Sequence, residues 1–178
     1  MGLDITAISK MQHVGEYRTH DAPDGDGCEE DDNHWVAFAY ASFPRSMRGL
    51  TGVEKVGIVG DGFIGGDCYA ETADSKSHNF RAGSYSGYGR FREALAELMG
   101  HTPSDYWNDV DEDEPFYELI NFADNEGTIG PEAAADLLED FRKHRDLFIE
   151  GWPDFTEVYD DWIIAFELAS DAGIVSFH

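Results

Sequence analysis

The sequence is organised around one stretch, Phe80-Arg-Ala-Gly-Ser-Tyr-Ser-Gly-Tyr-Gly-Arg-Phe-Arg-Glu-Ala-Leu-Ala-Glu-Leu-Met-Gly100. Its first half is rich in glycine, serine and tyrosine, a composition typical of a loop. Its second half repeats apolar residues at spacings of four and three, which predicts an amphipathic helix that Gly100 ends. A glycine-rich loop before a helix presents backbone N–H groups at the positive end of the helix dipole. The stretch therefore predicts a site for an anion or a nucleotide.

The side chains of this stretch suit a small anionic, nucleotide-like ligand. Arginines neutralise phosphate groups, and tyrosines stack on planar groups. The predicted ligand-binding residues are Arg81, Gly83, Ser84, Tyr85, Ser86, Gly87, Tyr88, Arg90 and Arg92. A structural alternative stays open, in which the tyrosines pack against a sheet, the arginines pair with carboxylates and Ser86 caps the helix.

Charge is unevenly distributed along the chain, which contains 12 basic and 37 acidic residues and has a net charge of -25. From Asn33 to Arg92, seven basic residues oppose five acidic ones, so this segment is net +2 and the remainder net -27. Such a charge repels nucleic acids and membrane surfaces and attracts basic partners, although it also serves solubility alone. The near-neutral segment is the predicted place for an anionic ligand, and the acidic remainder predicts a basic protein partner.

The hydrophobic patterns predict an α+β fold in a single domain, residues 1–178. Strand patterns occupy residues 3–8, 35–43, 53–59 and 63–72, and the last two form a hairpin around Gly60-Asp-Gly62. Helical patterns occupy residues 131–148 and 154–172. We therefore expect a mostly antiparallel sheet from the N-terminal half, covered by helices from the C-terminal half, with residues 174–177 returning to the sheet as a short strand.

One competing motif is Gly60-Asp-Gly-Phe-Ile-Gly65, which satisfies the G-x-G-x-x-G pattern of dinucleotide-binding folds. Such a fold needs an amphipathic helix after the motif and then a second strand that ends in an acidic residue. The residues that follow Gly65 predict neither this helix nor this strand, because their apolar positions are only weakly periodic. The hairpin is therefore the favoured interpretation.

The sequence contains none of the common catalytic patterns. Its seven histidines form no H-x-x-x-H or H-E-x-x-H motif, and no C-x-x-C, G-x-S-x-G or Walker A motif occurs. Ser84 and Ser86 beside His78 can be imagined as a nucleophile and its base, although serines in such turns more often act as caps. Two acidic loops, near Asp24 and Asp124, depart from the EF-hand pattern at ligand positions. We therefore expect a binding protein rather than an enzyme, without a metal or a cofactor.

The cysteine content and the N-terminal residues predict a cytoplasmic setting. Cys28 and Cys68 are too few for a disulfide scaffold, which predicts a reducing compartment. The N-terminal residues lack the regions of a signal peptide, and no apolar run reaches the length of a membrane span. Ligand pockets often form between copies of a chain, so a homo-oligomer is left open.

Three motifs resemble a family of small uncharacterised proteins from phages, prophages and bacterial genomes. They are Gly2-Leu-Asp-Ile5, Phe80-x-Ala82-Gly-Ser-Tyr-Ser-Gly-Tyr88 and Phe116-x-Glu118-Leu-Ile-Asn-Phe-x-Asp124-x-Glu126-Gly-x-Ile129-Gly-Pro131. The resemblance implies an accessory role in phage counter-defence, in the cytoplasm of the host cell.

Two main hypotheses follow for that role. The first is a protein that binds and sequesters a nucleotide-like immune signal at the glycine-rich stretch. The second is a DNA mimic that presents carboxylates from residues 105–114 and the C-terminal helices to a basic groove of a host nuclease or defence protein. An enzyme that cleaves the nucleotide ligand is the third alternative.

Overall fold

The computed structural model describes residues 2–16, 34–36, 58–60, 63–64, 67–111, 113–121 and 127–178. The strands in these ranges are β1 (Gly2–Ile8), β2 (Met11–Glu16), β3 (His34–Val36), β4 (Ile58–Gly60), β5 (Phe63–Ile64), β6 (Asp67–Glu71), β7 (Ser77–Ser84), β8 (Gly127–Ile129) and β9 (Ile174–Phe177). The helices are α1 (Tyr85–Leu98), α2 (Pro103–Asn108), α3 (Tyr117–Asn121), α4 (Pro131–Gly151) and α5 (Thr156–Ala169), with a short 3-10 helix at Pro153–Phe155. The predicted α+β class is confirmed.

The main sheet contains four antiparallel strands in the order β7-β1-β9-β8. Leu3, Ile5 and Ala7 alternate with more accessible residues along β1, and all three are buried on the face that meets the helices. The register of β1 runs from Gly2 opposite Ser84 to Ile8 opposite Ser77. β9 pairs with both β1 and β8, so the expected return of residues 174–177 to the sheet is confirmed.

The remaining described strands form two smaller sheets, one in the order β2-β6-β3 and one in which β4 pairs with β5. The β4–β5 pair is antiparallel, with Ile58 opposite Ile64, so the predicted hairpin is confirmed close to its turn. The second strand of that hairpin, predicted over residues 63–72, is wrong in extent, because β6 pairs with β2 and β3 in a different sheet. A dinucleotide-binding unit needs a helix and a parallel strand in this place, so that alternative is wrong. Residues 37–43 of the second predicted strand lie outside the described residues.

One hydrophobic core joins the main sheet to the helices. The ring of Trp162 on α5 is fully buried, and its centroid lies 5.1 Å from that of Phe80 on β7 and 5.7 Å from that of Phe177 on β9. On the other side of the core, the rings of Phe141 on α4 and Tyr159 on α5 are 4.5 Å apart. Buried aromatic residues at helical spacing thus fix α4 and α5 over the sheet.

None of the helices in the described part of the chain combines the length and the apolar composition that crossing a membrane requires.

Candidate functional site

The glycine-rich stretch forms the junction between β7 and α1. β7 ends at Ser84 and α1 begins at Tyr85, so the predicted loop between strand and helix is wrong. Gly83 has a φ of 114°, which an L side chain rarely adopts, and the strand pairing shifts register between Leu3 and Asp4 opposite this point. A bulge at Gly83 therefore turns the chain directly from the sheet into the helix.

Ser84 is the N-cap of α1. Its backbone is extended, and its Oγ accepts a hydrogen bond from the Gly87 N–H at 3.0 Å. Ser86, which the sequence suggested as the cap, already lies in the first turn of the helix, and its Oγ is 3.0 Å from the Ser84 Oγ. The cap falls two residues earlier than expected because the helix starts directly at the end of the strand.

Tyr88 is part of the core rather than of a surface site. The side chain is 3% exposed, and its ring contacts those of Trp162 and Phe177 at centroid distances of 6.3 Å. Its hydroxyl donates to the Leu119 carbonyl oxygen at 3.4 Å. Burial raises the pKa of Tyr88, although the nearby Arg92 guanidinium partly opposes this. Tyr88 is therefore not available for stacking on a ligand.

Arg92 is also buried, with 8% of the residue exposed. Its Cζ lies 5.4 Å from the centre of the Tyr88 ring, which places the cation over the aromatic face. The Arg92 Nε has no hydrogen-bond partner among the residues that the structure describes. Tyr88, Phe91, Arg92 and Leu95 share one stripe of α1 at spacings of three and four, so the core face includes two of the predicted ligand residues.

Arg81 lies on the outer face of the sheet beside the start of α1. Its guanidinium group occupies the space that a Cβ on Gly2 would fill, and Gly2 pairs with Ser84. The Arg81 Nε is 3.9 Å from the Asp4 Oδ1. Both charged side chains are more than 60% exposed, so this ion pair contributes little stability. Tyr85 is 42% exposed in the first turn of α1, which contains no acidic residue. Of the predicted residues, those at this junction are Arg81, Gly83, Ser84, Tyr85, Ser86 and Gly87.

Arg90 faces a different part of the surface. With Glu93, Ala94 and Glu97 it forms a second stripe of α1, at positions i, i+3, i+4 and i+7. This stripe is one wall of a groove of about 570 Å³, and the other wall is the segment Gly151-Trp-Pro-Asp-Phe155. We call this feature the corner groove. The predicted site residues therefore divide among the start of α1, the core and the corner groove.

The sequence Gly151-Trp152-Pro153 builds the far wall of the corner groove. Proline disfavours helical backbone in the residue before it, and Trp152 accordingly leaves the helix with φ -134° and ψ 66°. The Trp152 ring stacks on buried Phe148 at a centroid distance of 5.2 Å, and Phe155 contacts Phe91 of α1 at 5.5 Å. Ring contacts with the core thus hold the corner against α1.

The corner groove also contains residues that the sequence did not predict as site residues: Glu93, Glu97, Trp152 and Phe155. The sequence could have predicted the two glutamates, because their spacing places them on the same helical face as Arg90. No local pattern relates α1 to residues 151–155, which follow it by more than fifty positions and meet it through tertiary packing. The groove could therefore not be predicted from the sequence.

A smaller cavity of about 340 Å³ lies between the end of α5 and two turns, the one that joins β1 to β2 and the one that joins β6 to β7. Its lining includes the cations of Lys10 and Lys76 and the carboxylates of Glu167 and Asp171, so its formal charges cancel. Lys10 and Asp171 are 3.9 Å apart. This balance gives the cavity no preference for an anion or a cation.

The residues considered as a nucleophile and its base, Ser84 or Ser86 and His78, do not lie close together. His78 lies six residues before Ser84 on β7, which corresponds to about 20 Å along an extended strand. Its Nε2 is 2.9 Å from the Asp161 Oδ1, and its ring stacks on Phe80. His78 therefore connects the edge strand to α5, and the pairing of His78 with Ser84 or Ser86 is wrong.

No cluster of metal-ligating side chains occurs among the described residues. Asp24 and Asp124, at which the two calcium alternatives were considered, lie outside the described residues.

Comparisons with known proteins give no relative for this geometry. No protein-family model, no curated protein and no solved structure matches the chain.

Proposed function

We propose that this protein is an acidic binding protein whose helical half docks on a basic surface of another protein. The observation that carries the proposal is the charge of residues 93–178, which include 23 acidic residues and three basic ones. Carboxylates concentrated on one part of a chain attract a basic partner at long range and speed the encounter. The anion site expected at the glycine-rich stretch is less well supported, because Tyr88 and Arg92 are buried in the core.

The basic residues of this half are too few to neutralise it. Arg142 pairs with Glu167 at 3.2 Å, and Arg145 makes two hydrogen bonds with Asp160 at 2.7 and 2.8 Å. Several accessible carboxylates have no ion pair within the described residues: Glu93, Glu97, Asp109, Asp111, Glu114, Glu139, Glu150, Asp154 and Glu157. Their charge is free to interact with a partner.

The resemblance to phage and prophage proteins indicates the class of partner. A basic groove that binds nucleic acid is complementary to a surface of spaced carboxylates, which then replace the phosphates of DNA. We therefore propose a host nuclease or another defence protein with such a groove as the partner, and counter-defence as the role.

Inhibition of purified basic nucleases from a bacterial host tests this proposal. We expect inhibition that weakens as salt rises, because screening reduces attraction between charges. The charge-reversal variant D111K/E114K should weaken inhibition, since both residues lie in the acidic segment between α2 and α3. The variant E71K/D74K changes the net charge equally but lies beside the near-neutral β6–β7 turn, and it should leave inhibition unchanged. Equal weakening by both variants would mean that only the net charge matters, and the docking surface would be rejected.

A small anionic ligand at the start of α1 remains a second candidate function. The exposed residues Arg81 and Tyr85 favour it, because they lie beside a helix N-terminus without acidic neighbours in its first turn. Calorimetry and thermal-shift measurements with cyclic nucleotides and ADP-ribose derivatives test it. We expect R81E to abolish binding and R90E, in the corner groove, to preserve it. Analysis of products after incubation separates sequestration from cleavage, and absence of binding to all of these ligands would remove this candidate.

A further inference from the structure

We propose that the corner groove binds an arginine side chain of the basic partner. This inference deepens the proposed function and rests on it, because it assigns one pocket of the acidic half to one kind of partner residue. The groove holds about 570 Å³, which admits a long side chain together with part of its backbone.

The aromatic part of the groove is suited to a planar cation. Trp152 and Phe155 line it, and both residues are partly exposed. Phe148 stacks against Trp152 at an interplanar angle of 29°, which fixes the orientation of the indole. A guanidinium group stacks on an indole through cation–π attraction, and tryptophan is the most favourable ring for it. The groove therefore offers a prepared aromatic surface.

The charged part of the groove selects a cation over an anion. Glu93, Glu97 and Asp154 line it together with one basic residue, Arg90, which makes the lining net -2. Glu93 and Glu97 are four positions apart on α1, where like charges repel each other. None of the four charged side chains has an ion pair within the described residues. A bound guanidinium would relieve this repulsion and supply the missing partner.

Arginine fits these features better than lysine does. The guanidinium is planar, stacks on rings and donates paired hydrogen bonds to a carboxylate, whereas an ammonium group is a compact and strongly hydrated charge. The groove combines an aromatic surface with carboxylates, which uses both properties of arginine. A nucleotide would gain the stacking but would meet three carboxylates.

The inference is tested by NMR titration of the full chain with three blocked tripeptides, Gly-Arg-Gly, Gly-Lys-Gly and Gly-citrulline-Gly. Citrulline has the shape of arginine without its charge. We expect the Trp152 indole signal and the backbone signals of residues 90–97 to shift with the arginine peptide. The lysine peptide should bind more weakly, and the citrulline peptide should cause no saturable shift.

Two neutralised variants separate a defined site from general attraction. E93Q/E97Q/D154N should lower the affinity for the arginine peptide by about tenfold, because charge-assisted hydrogen bonds are lost. D109N/D111N/E114Q removes the same number of charges outside the groove and should change the affinity by less than about twofold. The melting temperature of each variant establishes that it is folded. W152L, which keeps an apolar side chain at the corner, should also weaken binding of the arginine peptide.

Several results would overturn the inference: no shift of these signals at millimolar arginine peptide, equal binding of the citrulline peptide, or equal effects of the two neutralised variants. Nuclease inhibition that persists in E93Q/E97Q/D154N would remove the arginine pocket and leave the proposed function in place. Arginine-peptide binding without inhibition of any basic nuclease would contradict the proposed function and leave the pocket in place.

Discussion

Asp140 and Phe116 show how single residues set the backbone of this fold. Phe116 is fully buried and has a φ of 62°, which is unfavourable for a bulky side chain. Its N–H donates to the Asp140 Oδ2 at 2.9 Å, and Asp140 is itself only 5% exposed. A carboxyl group on α4 therefore holds the strained residue that precedes α3.

We expect D140A to lower the free energy of unfolding by roughly 1–3 kcal/mol, because the buried Phe116 N–H loses its acceptor. E139A, the neighbouring exposed position on α4, should change it by less than about 0.5 kcal/mol. Urea denaturation of both variants measures the difference. D140N should recover part of the loss, since an amide oxygen also accepts a hydrogen bond. Equal stability of D140A and E139A would refute this role of Asp140.

At the scale of single residues, the composition of the glycine-rich stretch predicts the chemistry of its side chains but not which of them are buried. Tyr88 and Arg92 are residue types that often bind ligands, yet both occupy the buried stripe of α1. Their spacing from Phe91 and Leu95 indicates this, because residues three and four apart share a helix face. The composition of the stretch predicts that Tyr88 and Arg92 are exposed, whereas their helical spacing predicts that they are buried. The structure agrees with the spacing.

The first helix is the element on which both candidate sites depend. Its start is fixed by the Ser84 cap, its inner stripe packs in the core and its outer stripe lines the corner groove. A shift of α1 would therefore change the corner groove and the candidate anion site together.

We expect S84A to destabilise the protein by about 0.5–2 kcal/mol, which is the usual effect of removing an N-cap side chain. S86A should have a smaller effect, because the Gly87 N–H is bonded to Ser84 and not to Ser86. Thermal unfolding of the two variants compares them directly. A larger loss for S86A than for S84A would place the cap where the sequence first suggested it.

Among the elements, those with a strong hydrophobic period were the most predictable. The apolar spacing of α4 and α5 encodes the face that each helix buries, and the pattern of residues 174–177 encodes a strand that returns to the sheet. The direct passage from β7 into α1 was not predicted. Glycines and serines usually mark a loop, and here they provide a bulge and a cap instead.

Three buried tyrosines link the stability of the whole molecule to alkaline pH. Burial raises the pKa of Tyr88, Tyr106 and Tyr159 in the folded protein above the ordinary value of about 10. Below the unfolded value these residues are neutral in both states and do not make stability depend on pH. Above it the unfolded chain releases protons that the folded chain retains, so the free energy of unfolding falls as pH rises.

We therefore expect the free energy of unfolding to decline from about pH 10 upward, with each retained proton contributing up to about 1.4 kcal/mol per pH unit. Urea titrations at increasing pH measure this slope. Y88F should make the decline shallower by removing one of the three groups. A slope that is the same in Y88F and in the unaltered protein would exclude this cause.

At the scale of the molecule, the proposed function depends on the amount of charge and on where the charged side chains lie. The sequence predicts both an acidic surface and a near-neutral segment, and the structure adds where the side chains of that segment lie. Tyr88 and Arg92 are in the core, Arg81 pairs with Asp4, and Arg90 lines a groove with three carboxylates. These positions favour a basic protein over a small anion as the partner.

The most direct measurement is displacement of a labelled DNA duplex from a catalytically inactive basic nuclease by this protein. We predict displacement that reaches completion at a ratio near one protein per DNA-binding groove, with an apparent affinity that falls as salt rises. A ternary complex, in which the nuclease binds the DNA and this protein at once, would contradict the claim that the acidic half occupies the DNA-binding surface. The claim would be contradicted equally if this protein displaced DNA from none of the basic host nucleases tested.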